Sequence, residues 1–323
     1  MNEPGININP GHIARHTPRY AGAQGKEAAI IDIAQDLMLR YLHEKGALDN
    51  LAFKGGTALR KLYAGTEGRF SLDLDFSVIN IGIDQDVTLV NFITFLEGLR
   101  IGPFRYGVTQ RRGKWSVVYE CDYGDVTLSS KLDVSPPPWL NPVLREWKRM
   151  PIHKQYGPSP LPSLLTVCLE ENIAEKIARL NRLTPARDMY DLVWIAMTPN
   201  VWGELDKTLI RRLALLKIWV DANGIRVGGT VWKAPHVTYP FDPANWLRDR
   251  SKRDFDAEDI GALTIPIPSV KELSDAMQTH YAFLADIDEK ERILADIKAK
   301  DRPLALKLLS ELPGHRLKDI GLY

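Results

Sequence analysis

The chain has 323 residues, more than one average domain requires, so two domains are expected. Its 45% hydrophobic and 26% charged residues are an ordinary folded composition and argue against global disorder. The formal net charge of +1 excludes an overall basic field, so any contact with RNA or DNA has to come from a local patch.

Residues 1–24 are rich in Pro, Gly and Asn and read as an irregular N-terminal arm. They lack the long apolar core of a signal peptide, and no run of about 18 apolar residues occurs anywhere in the chain. A cytoplasmic protein with no membrane span is expected. From Gly25 to Gly46, apolar residues including Ile30, Ile33, Ala34, Leu37 and Leu42 recur at helical spacing, and Gly46 supplies a stop. Leu51–Phe53 is a short apolar step into Lys54-Gly55-Gly56. Thr57–Tyr63 reads as helix, with Ala58, Leu59 and Leu62 on its apolar side.

Residues 70–78 alternate strictly, Phe70, Leu72, Leu74, Phe76 and Val78 against Ser71, Asp73, Asp75 and Ser77, which is strand period. Residues 91–99 carry a helix. Runs at 106–109, 115–121 and 126–134 read as strands, separated by turn signals at Arg112-Gly113 and Tyr123-Gly124-Asp125. Cys121 and Cys168 have no metal-ligand spacing around them and read as buried, reduced thiols. The stretch 136–162 is dense in proline and makes a natural linker. Beyond it, segments 164–183, 187–197, 204–222, 270–284 and 287–312 carry helical stripes, whereas Gly and Pro interrupt 223–268. The expected architecture is α/β (α+β): a mixed-sheet lobe over residues 25–160, then an all-helical lobe over 161–323.

Gly55-Gly56 ahead of a helix lets the backbone turn tightly and approach a ligand, with free N–H groups suited to phosphate and Thr57 placed to cap or to bond an oxygen. An ordinary turn before a capped helix explains the tripeptide equally well, and a second Gly-Gly-Thr at 228–230 has no acidic strand behind it. Asp73 and Asp75 are harder to dismiss. Carboxylates two apart on one strand face repel each other unless a cation lies between them, and hard oxygen ligands favour Mg²⁺ or Mn²⁺. In the run 126–134, Lys131 and Asp133 share the polar face, and an adjacent strand would set Asp133 beside the pair.

In LEENIAEKIARL (169–180), Lys176 falls inside the apolar stripe and has to snorkel, pair with an acid, or meet a ligand's negative charge. In PARDMYDLVWIA, Asp188 and Asp191 share one side of a helix, and Asp188 also suits the helix's first turn.

KGGTALRKLY followed by RFSLDLDF resembles the first motif of the AbiEii/AbiGii family of toxin nucleotidyltransferases, relatives of DNA polymerase β. KLDV (131–134), NIAEKIARL (172–180) and ARDMYDL (186–192) resemble the second, third and fourth motifs, so the similarity covers residues ~50–195 in order. The resemblance implies a polymerase β-like nucleotidyltransferase lobe, a helical lobe, and an active site shared by the two. It implies a toxin of a toxin–antitoxin system, some members tied to phage defence, that transfers a nucleotide from an NTP to an RNA 3′ end, in several cases the tRNA acceptor, and so stops translation. It also implies Mg²⁺ or Mn²⁺ as cofactor and a cognate antitoxin as partner.

Residue by residue, Lys54, Gly55, Gly56, Thr57 and Ser71 match the nucleotide-binding positions. Asp73 and Asp75 match metal ligands, Asp133 the third strand acid, and Lys176 the phosphate-contacting lysine. Asp188 or Asp191 matches the remaining essential acid, and the pattern does not choose between them. Arg60, Lys61, Arg69 and the cluster Arg111-Arg112-Lys114 are candidate phosphate or RNA contacts, or else solvated charges. Transfer to a protein side chain or a small molecule stays open. So does an inert nucleotide-sensing module, though the retained acids disfavour it.

Overall fold

The computed structural model describes residues 5–21, 24–124, 127–182, 186–222, 238–246, 255–296 and 301–317. The chain divides into two compact units. One comprises Met1–Pro137, Pro142–Thr166 and Gly261–Pro266, the other Pro138–Asn141, Val167–Ile260 and Ile267–Tyr323. Asp125, Val126, Pro185 and the Gly-Gly-Thr at 228–230 lie outside the described residues.

The first unit carries a mixed sheet of β1 (Leu51–Lys54), β2 (Leu74–Val78), β3 (Arg100–Ile101), β4 (Phe104–Arg111), β5 (Lys114–Cys121), β6 (Leu128–Ser135), β7 (Val143–Arg145) and β8 (Leu164–Thr166). Their spatial order is β3-β4-β5-β6-β2-β1-β8-β7. β1 runs antiparallel to β2 and parallel to β8, and β2 runs parallel to β6. Its helices are α1 (Pro10–His16), α2 (Gly25–Glu44), α3 (Gly55–Leu59) and α4 (Gln85–Leu96). The core lies between α2 and the sheet, where the Tyr106 hydroxyl donates to Ala34 O (2.9 Å) and Gln35 Nε2 to Ser130 Oγ (3.0 Å).

The second unit is helical among its described residues, with α5 (Leu169–Arg182), α6 (Ala186–Met197), α7 (Pro199–Trp202), α8 (Lys207–Ala222), α9 (Pro243–Trp246), α10 (Ala257–Ile260), α11 (Val270–His280), α12 (Glu289–Ala295) and α13 (Arg302–Ser310). No described helix is long and apolar enough to cross a membrane. Both cysteines are free and buried, and burial pushes both thiols up.

Several elements differ from the sequence reading. The arm is not wholly irregular: Pro10 at the first helical position and the Asn9 side chain, which accepts from His12 N at 3.0 Å, start α1. Residues 70–73 leave the strand despite their alternation, because Phe70 N–H is taken by Ala262 O (2.9 Å) and Asp73 O by the Thr57 hydroxyl. The helix expected at 91–99 starts earlier, at the Asp84 cap, which accepts from Asp86 N at 2.7 Å. The proline-dense stretch holds β7 and a 3-10 turn, and Leu164–Thr166 is strand β8 rather than the head of a helix. The single stripe at 287–312 divides into α12 and α13. Residues Gly261–Pro266 belong to the first unit, where Leu263 pairs with Tyr20 and Ala262 holds Phe70.

Arg60 and Lys61, candidate phosphate contacts by sequence, are instead buried at 1% and 0% exposure. They lie on a π-helical stretch, Arg60–Ala64, that continues α3. Arg60 donates to both Asp32 oxygens (2.9 and 3.0 Å) and to the Gly65 and Gly68 carbonyls (3.1 and 2.6 Å). Lys61 Nζ lies 2.6 Å from Asp32 Oδ1 and 2.6 Å from Asp36 Oδ1. His16 meets Asp32 at 2.7 Å, and the Tyr156 hydroxyl donates to Asp36 at 2.6 Å.

Burial alone would raise both carboxyls. Arg60 and Lys61 outweigh it at Asp32, and Lys61 with His153 outweighs it at Asp36, so both are held below the usual carboxylate range. A depressed folded pKa contributes stability that is present above the unfolded value of about 3.9 and lost as pH falls through the folded value. The thermal midpoint should therefore hold down to about pH 4 and fall below it. Asp32→Ala, which strands two buried cations, should cost about 3–5 kcal/mol in denaturant unfolding.

Candidate active site

β2 sends Leu74, Phe76 and Val78 into the core and leaves Asp75 half-buried on the opposite face, with Asp73, also half-buried, just ahead of the strand. The register pairs Asp75 with Lys54 of β1 on one side and with Asp133 of β6 on the other. Cα partners in neighbouring strands share a face, so Lys54, Asp75 and Asp133 form one row across the sheet. Asp133 is exposed and ion-paired with Lys131 two residues earlier on β6.

The glycine pair abuts this row. Gly55 has φ +78°, and a Cβ there would stand 2.5 Å from Asp75 Oδ2, so only glycine lets the carboxylate lie against the turn. A Cβ on Gly56 would stand 2.1 Å from Arg69 Nη2 and 3.0 Å from Ser71 Oγ. The Arg69 guanidinium and the buried Ser71 hydroxyl thus converge on Gly56. Lys54 precedes α3 and makes no side-chain cap bond. Thr57 turns its hydroxyl to the Asp73 carbonyl, anchoring the chain that carries the acids.

Sequence reasoning set Arg69 among several basic candidates. The structure separates them: Arg69 is buried at the glycine turn, Arg60 and Lys61 are buried in the Asp32–Asp36 cluster, and Arg111, Arg112 and Lys114 are exposed on a hairpin. A clue in the sequence was position, since Arg69 directly precedes the Phe70–Val78 alternation.

Lys176, Asp188 and Asp191 come together in the second unit. Lys176 is 5% exposed on α5, and its Nζ donates to Asp188 Oδ1 (2.9 Å) and Asp191 Oδ2 (2.8 Å) of α6. Arg179 approaches the other Asp188 oxygen at 3.2 Å. Burial would raise the Asp188 carboxyl, but Lys176 and then Arg179 hold it below its ordinary value. Of the three sequence alternatives for Lys176, pairing with an acid is realised, and both candidate acids supply it. An ammonium has three N–H donors, so two of them are accounted for by these bonds. Beside this cluster, the fully buried Glu171 accepts from Trp139 N (2.9 Å), Leu140 N (3.0 Å) and Lys217 Nζ (2.9 Å), fastening the Pro138–Asn141 segment to α5 and α8.

Among the described residues no group of three or more His, Cys, Asp or Glu side chains stands so that it could hold a metal ion as placed. The donor chemistry of Asp73, Asp75 and Asp133 nevertheless fits a hard divalent cation. All three are carboxylates, Asp75 and Asp133 stand opposite each other as like charges, and Gly55 leaves the Asp75 carboxylate room at the turn.

A family model described as the nucleotidyl transferase AbiEii toxin of type IV toxin–antitoxin systems matches residues 36–293. MenT4, a nucleotidyltransferase toxin from Mycobacterium tuberculosis H37Rv, superposes with a TM-score of 0.75 at 32% identity, covering 94% of this chain and 99% of that one. JHP933 from Helicobacter pylori gives a TM-score of 0.42 at 17% identity over 88% of this chain and 98% of that one. No curated protein matches the chain.

The two acid clusters should respond differently to substitution. Lys176→Ala leaves two buried aspartates without their shared cation and should lose about 3–5 kcal/mol in chemical unfolding. Asp133→Ala, at an exposed position, should stay within about 0.5 kcal/mol of wild type, so any activity it loses reports on chemistry.

Proposed function

Because the chain belongs to the AbiEii family of nucleotidyl transferase toxins of type IV toxin–antitoxin systems, we propose that it transfers a nucleoside monophosphate from an NTP to an RNA 3′ end, the tRNA acceptor, and thereby blocks translation. The observation that supports this best is the row Lys54–Asp75–Asp133, with Gly55 packed against the Asp75 carboxylate. It sets acids from two neighbouring strands on one face of the sheet, directly beside a glycine turn.

In this reading Asp73, Asp75 and Asp133 hold Mg²⁺ or Mn²⁺, which when bound neutralises charge at the α-phosphate and favours the ionised form of the attacking hydroxyl. The RNA 3′ oxygen forms a bond to the α-phosphorus as the bond to pyrophosphate breaks. Asp133, the most exposed of the acids, accepts the hydroxyl proton. The Gly55–Thr57 backbone, Lys54, Ser71 and Arg69 orient the phosphates of the NTP. In the second unit, Asp188 and Asp191 fix in place the ammonium of Lys176, the residue that matches the family's phosphate-contacting lysine. A cognate antitoxin is the expected protein partner.

The test is incubation with α-labelled NTPs, Mg²⁺ and total tRNA. Wild type should label tRNA. Asp73→Ala, Asp75→Ala and Asp133→Ala should each lose about 10³-fold or more, the equivalent of several kcal/mol of charge stabilisation. Label on protein rather than RNA would reassign the acceptor. Equal behaviour of wild type and Asp75→Ala would remove the transferase reading.

A further inference from the structure

Residues 104–119 contain four basic side chains, Arg105, Arg111, Arg112 and Lys114, and no Asp or Glu, in a chain whose net charge is only +1. They form the hairpin β4–β5, whose ladder runs to its end at Arg111↔Lys114. One face of this hairpin is core: Tyr106, Val117 and Tyr119 are at most 2% exposed. The other face is open, with Arg111 and Lys114 exposed on it.

β5 pairs with β6 up to Trp115↔Leu132. Continuing that register by one residue sets Lys114 across from Asp133. The row already traced through Lys54, Asp75 and Asp133 therefore extends through Lys114 to Arg111. At a strand spacing of about 4.8 Å, Arg111 lies roughly 10 Å along that row from Asp133. Lys131 is the next cation on the same face and is engaged by Asp133. Arg111, Arg112 and Lys114 enter no ion pair with a described residue. Arg105 lies further along β4, opposite Glu120.

The turn itself is informative. Arg112 and Gly113 both have positive φ, +50° and +76°, the arrangement that two-residue hairpins prefer and that Asn-Gly or Asp-Gly serves best. Arg112 is the single described non-glycine residue in the left-handed region. An arginine there is conformationally unfavourable, and it adds a cation to the tip of the hairpin.

We propose that the β4–β5 hairpin tip, Arg111-Arg112-Gly113-Lys114, is the docking surface for the phosphate backbone of the acceptor RNA next to its 3′ end. The inference rests on the reading above that the acceptor is an RNA 3′ end. Charge complementarity selects the occupant: cations with no ion pair among the described residues, on an open polar face and in register with the acid assigned to the attacking hydroxyl, suit a polyanion whose terminus must reach that acid.

The experiment measures binding of a fluorescent single-stranded oligoribonucleotide over a salt series, alongside α-labelled NTP transfer to tRNA, for wild type, Arg112→Asn and Arg111→Ala/Arg112→Asn. Asn suits the left-handed position, so Arg112→Asn should keep or raise the thermal midpoint while weakening RNA binding. Binding then falls with no loss of stability, which a folding defect cannot produce. The double variant should bind about tenfold more weakly, with a salt slope reduced by about 0.7 for each phosphate contact removed. It should also need more tRNA for half-maximal labelling.

Equal RNA affinity and equal salt slope in wild type and double variant would overturn the assignment, and continued tRNA labelling by wild type would leave the transferase reading standing. Wild type that binds polyglutamate but no oligoribonucleotide would overturn it in favour of an acidic protein. Weakened RNA binding in the variants, with no RNA labelled by wild type, would support the surface and sink the proposed acceptor chemistry.

Discussion

Asp32 and Asp36 are buried on α2, and the cations that neutralise them stand on the helical turn that follows the glycine pair. A buried ion pair gains little net stability over an apolar pair of the same volume, because desolvation cancels much of the attraction. What it imposes is geometry. The Arg60 fork fits both Asp32 oxygens and also collects the Gly65 and Gly68 carbonyls, so the chain from α3 to residue 68 has one favourable path. Phe70 lies against the same guanidinium at 3.6 Å, and Arg69 and Ser71 flank it in sequence. The glycine turn, the arginine beside it and the start of the acidic strand are thus referred to one charged centre in the core.

The open acids depend on that frame in a different way. Asp75 and Asp133 face each other across paired strands, an arrangement that like charges disfavour. Lys131 offsets Asp133 on one side, and Lys54 stands across from Asp75 on the other. In the second unit the opposite holds: Lys176 and Arg179 between them neutralise Asp188 and Asp191 inside the fold. One set of carboxylates is completed by the protein. The other lies half-buried or exposed on an open sheet face, with Lys131 and Lys54 beside it.

Much of this was legible because it depends on period and order. Alternation assigned Asp75 and Asp133 to polar strand faces, and the parallel pairing of β2 with β6 then made them neighbours, whereas Asp73, assigned the same way, stands just ahead of the strand. The mixed α/β half and helical half followed from a change of periodicity near the prolines. What stayed hidden depends on partners distant in the chain. Arg60 looks like a solvated charge until Asp32, 28 residues earlier, is seen to meet it. Strand period at Phe70 did not reveal that Ala262 would take its N–H. Leu164–Thr166 lacks the length to separate strand from helix by pattern alone. The pairing of Lys176 with both aspartates was open for the same reason, since three positions on two helices had to be placed together.

The chain also crosses between the units more than once, and two short segments between crossings are each held by specific bonds. Pro138–Asn141 is fixed to the second unit through the Trp139 and Leu140 amides on the Glu171 carboxylate, which Lys217 neutralises. Gly261–Pro266 is fixed to the first unit through Tyr20 and Phe70, and Gly261 has φ +110° with Phe70 O only 2.9 Å from where a Cβ would stand. The proline-rich stretch read as a natural linker in the sequence, and the stretch 223–268 as interrupted by Gly and Pro. Their backbone donors and acceptors had to be satisfied somewhere, and they are satisfied beside α5 and beside the loop that carries Arg69. Each unit therefore includes a short segment from the other half of the chain, and the acidic strand inherits its starting position from one of them.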